Sequence, residues 1–96
     1  MSEQKWRKED WFIEIQLNKT TVASIDLVGI YHVGEDAGIW LSVGEYGSAE
    51  SVFIEYIKSD MPTQEEREKD LKKQALNVLL NHFSECTKTI QSLLNQ

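Results

Sequence analysis

The chain holds one cysteine, one proline and five glycines among its 96 residues. A lone thiol, Cys86, excludes an internal disulfide and cannot by itself make a structural zinc site. No uninterrupted apolar run approaches the ~18 residues that cross a bilayer, and the start MSEQKWRKED has no apolar stretch behind its charges. Neither a membrane anchor nor a secretory leader is expected, and the expected compartment is the cytoplasm. The glycines make no phosphate cradle, because neither the Gly34 nor the Gly44 turn leads from a strand into a helix with a lysine following. Basic side chains are also scarce, ten against sixteen acidic, for a net charge of −6.

That charge is unevenly placed. Residues 1–10 and 58–96 are each neutral, whereas residues 11–57 set Lys19 against Glu14, Asp26, Glu35, Asp36, Glu45, Glu50 and Glu55 and carry all of the −6. A surface of that sign repels phosphate backbones and anionic membranes, so neither direct nucleic-acid binding nor membrane binding is expected. It would attract a basic protein. The plain alternative is that the acids only keep the sheet soluble.

With 41% apolar and 27% charged residues the composition is that of an ordinary globule, and the length suits one domain over 1–96. Residues 1–10 read as a charged lead-in anchored by Trp6. Period-two patterning then begins, with Trp11, Ile13, Ile15 and Leu17 on one face and Glu14 and Gln16 on the other. Thr21 to Val33 is rich in β-formers and reads as a second, bent strand with Gly29 at a bulge. Gly34 to Gly38 carries a hairpin signal. A third strand runs over Ile39 to Val43, and a second reversal over Gly44 to Ser48. The fourth strand, Ala49 to Ile57, puts Val52, Ile54 and Tyr56 on one face and Phe53 and Ile57 on the other, and so reads as covered on both sides. The connections are too short for parallel crossovers.

The proline, Pro62, stands where a helix can start, and Thr63 with Glu66 fits a capping box. From there to Asn95 neither glycine nor proline recurs, and Leu76, Leu79, Phe83, Cys86, Ile90 and Leu93 fall at alternating spacings of three and four. The expected fold is therefore α+β: a four-stranded antiparallel β-meander over 11–57, then one long C-terminal helix over 62–95 packed on the sheet, either continuous or bent near 84–89, where Thr87 and Thr89 lower helix propensity. A ~50 Å helix must outrun strands of ~25–30 Å. The charged first turns, Gln64 to Lys73, are expected to project into water while Ala75 to Leu94 packs. The alternative is a stripe shared with a second copy, giving a homodimer through the C-terminal helix.

Constellations for chemistry are few. His82 and Cys86, four apart, share a helix face but are only two metal ligands even if His32 joins them; a core position for Cys86 makes it inert as a nucleophile. No carboxylate pair stands out for acid–base work. No catalytic residue, metal or cofactor is assigned, and an enzyme is not expected. The aromatics are more telling. Trp40 lies on the sparse face of its strand; exposed beside Tyr46 it would be a binding anchor within an acidic rim, and otherwise it is core under the helix. The candidate protein-binding set is Glu35, Asp36, Trp40, Glu45, Tyr46 and Glu50.

The leading functional expectation is a small acidic module that occludes a basic surface of a partner, such as a nuclease or nucleic-acid-binding protein. Inhibitors, immunity proteins and phage counter-defence proteins share this size and charge. The alternatives are an oligomeric small-molecule binder with a pocket between sheet and helix or between subunits, and a structural subunit of an assembly.

Overall fold

The structure, a computed structural model, describes residues 6–44 and 50–96. It is an α+β fold, a five-stranded antiparallel sheet in the order β1-β2-β3-β4-β5 followed by one long C-terminal helix. The strands are β1 (Arg7–Lys8), β2 (Phe12–Gln16), β3 (Thr21–Asp26), β4 (Ala37–Val43) and β5 (Glu50–Ile57); a one-turn helix, α1 (Val28–Tyr31), joins β3 to β4, and α2 (Gln64–Leu94) closes the chain. β1, the strand beyond the expected four, pairs Arg7 with Glu14 and Lys8 with Ile13. Two residues carry no readable period.

The inner face of the sheet is built by alternation. Ile13 and Ile15, Ala23 and Ile25, and Ala37, Ile39 and Leu41 point one way and are buried with Ile57, Leu27 and Ile30. Leu71, Ala75 and Leu79 of α2 close this core, one residue per helical turn. Thr63 caps the helix: its hydroxyl oxygen accepts from the Glu66 N–H at 3.1 Å and its O–H donates to the Glu66 carboxylate at 2.9 Å. The helix continues through 84–89, where the Thr87 hydroxyl donates to the Phe83 carbonyl.

Five local features differ from the expected ones. The strand expected over 21–33 stops at Asp26, whose carboxylate accepts from the Val28 N–H and starts α1 instead. Gly29 is therefore not a bulge; it lies so close to β4 that a Cβ there would meet Ala37 Cβ and the Glu35 carbonyl at 2.9 Å. Gly38 belongs to β4, not to a hairpin turn, and the reversal runs through α1. Trp11 precedes β2 and is 81% exposed, away from the core face assigned to it. β5, expected to be covered on both faces, is an edge strand with Val52, Phe53 and Tyr56 exposed.

α2 departs furthest from the expected arrangement. Its first turns pack and its second half projects, the reverse of the expected arrangement. Arg67 decides this: its side chain is buried, its Nε–H donates to the Ile30 carbonyl at 2.8 Å, and Nη1 donates to the carbonyls of Met61 and Pro62 at 2.9 and 3.2 Å. A charged residue in a charged stretch reads as solvent-facing, yet here three carbonyl oxygens that no β-ladder uses draw it inward. Beside it the Glu68 carboxylate accepts from Lys8 and Lys72 at 2.7 and 2.9 Å, and the Lys72 ammonium lies 5.7 Å from the Trp6 ring. The lead-in is thereby tied to the helix, and Trp6 is half-buried against the core.

Candidate functional site

The outer face of the sheet carries the aromatic side chains that the core does not use. Trp40 of β4 stands opposite Ser24 of β3 on one side and Phe53 of β5 on the other. The Trp40 and Phe53 rings meet edge to face at 5.3 Å, and Tyr56 tilts onto Phe53 at 4.6 Å. All three remain partly exposed, Trp40 at 38% and Tyr56 at 62%. Trp40 is thus not core under the helix; it lies on the opposite side of the sheet.

Gly38 makes room for this row. A Cβ at Gly38 would come within 2.9 Å of Trp40 Nε1, 3.1 Å of Asp26 Oδ2 and 3.4 Å of the Phe53 ring. The indole Nε1 therefore lies close over the Gly38 backbone, in space that a larger residue would fill. Asp26 is held in place by the Gly38 N–H, which donates to Oδ2 at 2.8 Å, and by the Val28 N–H on Oδ1. Next to the aromatic row a concavity of about 320 Å³ opens on the same face, between Trp11, Trp40, Glu14, Asp26 and the serines Ser24, Ser42 and Ser51. The Ser42 and Ser51 hydroxyls hydrogen-bond to each other at 2.8 Å. Glu14 pairs with Arg7 across β1 and β2, and this hydrogen bond and charge hold the Arg7 guanidinium above its ordinary pKa.

No family model, curated protein or solved structure matches this chain. The face is therefore read from its own chemistry. It offers flat π surfaces, two carboxylates and a cluster of hydroxyls, and a lysine or arginine side chain is the natural complement of the first two.

The residues expected to form the site are only partly brought together. Trp40 is at the centre of the outer face. Glu35 and Asp36 are exposed on the loop before β4. Glu50 pairs with Val43, one register step from the outer-face pair Ser42 and Ser51, and so belongs to the inner face. Glu45 and Tyr46 lie outside the described residues.

Trp11, Phe53 and Tyr56 join Trp40 without having been expected to. Phe53 and Tyr56 are three apart, which simple alternation sends to opposite faces. An irregularity in the β4–β5 register between Ile39 and Trp40 sets Trp40 against Phe53 but Ile39 against Glu55, leaving Ile54 unpaired and returning Tyr56 to the outer face. Only the register could reveal that. His82 and Cys86 line a different concavity with Glu85, Thr89 and Ile90, and Cys86 is exposed, not a core thiol. Among the described residues no three His, Cys, Asp or Glu side chains are placed to hold a metal ion.

Proposed function

We propose that the protein is a protein-binding module whose outer sheet face and acidic flanking loop occlude a basic surface on a partner. The observation that carries this reading is the Trp40–Phe53–Tyr56 row with Asp26 beside it, exposed on the face of the sheet that α2 leaves open. Aromatic side chains left exposed together bring large contact area at small entropic cost, and such residues dominate binding energy in interfaces. Their carboxylate neighbours select the sign of the partner. Arginine suits the site best, because its planar guanidinium stacks on indole or phenol while donating to a carboxylate. Glu35 and Asp36 extend the negative field beyond the contact itself and would steer encounter.

A basic protein such as a nuclease or nucleic-acid-binding protein fits this chemistry, and the reading needs no catalysis by the module. The test is retention of proteins from a lysate of the source cell on immobilised wild type and on Trp40→Ala, at low and high salt. A stoichiometric basic protein that leaves as salt rises and is lost with Trp40→Ala is the expected result. Equal retention by the two baits would remove the outer face from the mechanism. Failure to retain any basic protein at low salt would overturn the reading.

A further inference from the structure

Leu79 is the last buried residue of α2, and the helix continues for fifteen residues beyond it to Leu94, a projection of ~22 Å. This half is not a polar overhang. Leu80, Phe83, Ile90, Leu93 and Leu94 are exposed there, together with Leu76 and Cys86 just before and among them. Residues 76, 83 and 90 are seven apart, as are 79, 86 and 93, and 80, 87 and 94; the three rows are adjacent and make one apolar stripe. Thr87 is the one polar side chain within these rows, and the remaining surface is polar, including Asn81, His82, Glu85, Lys88 and Gln91. A seven-residue repeat with an apolar seam is the pattern by which two helices pack side by side.

Two further observations bear on what chemistry would suit it. First, residues 80–96 contain only Glu85 and Lys88 as charges and are neutral, while the sheet carries the −6. A strongly charged partner finds no handle on this stripe, whereas an identical neutral stripe matches it without like charges in the seam. Second, Leu76, Leu80, Phe83, Ile90, Leu93 and Leu94 are each between 38% and 78% exposed along one side of the helix, a contiguous apolar surface of the kind that specific interfaces cover. Covering the stripe would also add stability to this half, since most helical stability in proteins comes from packing an amphipathic face.

We propose that the C-terminal half of α2, from Leu76 to Leu94, pairs with the same segment of a second copy to form a two-fold symmetric dimer. An antiparallel pairing puts the two acidic sheets at opposite ends of the seam, so that their repulsion falls within the range that salt screens. The outer sheet faces stay free. Each dimer then carries two copies of the aromatic face, but the pairing itself does not depend on what that face binds.

Sedimentation of the full chain over the micromolar range tests this. Wild type is expected at twice the mass of one chain, and Leu80→Glu with Ile90→Glu is expected to weaken dimerisation by at least ~100-fold, since two carboxylates per chain would be buried in the seam. Ser84→Glu, on the polar side, is expected to leave the dimer intact. Circular dichroism of each variant reports that the sheet and helix have formed. A monomeric wild type, a higher oligomer, or a dimer that survives the double substitution overturns the proposal.

Discussion

Arg67 shows how a single side chain can reverse the packing of an element. It is buried without a carboxylate partner among the described residues, and it is stable there because its N–H groups point at the carbonyls of Ile30, Met61 and Pro62. Replacing it with methionine keeps length but leaves these acceptors unpaired. Arg67→Met should therefore lower stability by about 3 kcal/mol in urea unfolding. Gly29 is a second such position. The nearest atoms to a Cβ there include the Glu35 carbonyl, which is backbone and cannot rotate away, so Gly29→Ala should cost about 1–3 kcal/mol in the same measurement. At Gly38 the nearest atoms belong to Trp40, Asp26 and Phe53 side chains. The added methyl is thus expected to displace the indole and to weaken partner binding more than it lowers stability.

At the scale of elements, β1 and the lead-in depend on Glu68. Burial pushes its carboxyl pKa up, but hydrogen bonds from Lys8 and Lys72, with their charges, outweigh this and hold it below the usual carboxylate value. The same pairing holds the Lys8 ammonium above its ordinary value. Because the Glu68 pKa is lower in the folded chain, the stabilisation is complete above the unfolded value of ~4.3 and is lost as pH falls through the folded one. The urea midpoint should therefore decline as pH drops from ~5 to ~3. In Glu68→Gln that decline should be smaller; an identical decline would show that Glu68 does not anchor the lead-in. β5 illustrates a different kind of decision. Its one-residue irregularity moves Tyr56 from the face shared with Val52 to the face shared with Phe53. No propensity distinguishes these outcomes, since tyrosine suits either face of an edge strand.

For the whole molecule the distribution of charge and exposed apolar surface divides the labour. The negative field belongs to the sheet and its loops, and the neutral stripe belongs to the far half of α2, along the 50 Å long axis. Reversing Glu35 and Asp36 to lysine should slow association with the basic partner roughly 5- to 10-fold at low salt, measured by stopped-flow or surface capture, and the difference should vanish at high salt. An unchanged rate would remove electrostatic steering. The dimer-breaking pair Leu80→Glu and Ile90→Glu should leave the affinity of one face for one partner site unchanged. It should weaken only binding to a surface that presents several sites, because linked faces gain through effective concentration.

The class of fold was legible in the sequence. Period-two alternation through Ile13–Ile15, Ala23–Ile25 and Ile39–Leu41 dictated strands and their inner faces, and short connections dictated antiparallel order. The Thr63 cap and an uninterrupted 3–4 stripe likewise marked α2. What the tertiary structure decided were contacts between segments far apart in the chain. Which half of α2 packs depends on Arg67 finding the Ile30 carbonyl 37 residues away. Which face Tyr56 joins depends on a register shift against β4. Whether Trp40 is core or surface depends on the side from which α2 approaches. Local pattern reports the period of an element, because side-chain direction repeats along the backbone; it does not report which of two apolar or polar surfaces another element will cover, because that is fixed only when the distant partner arrives.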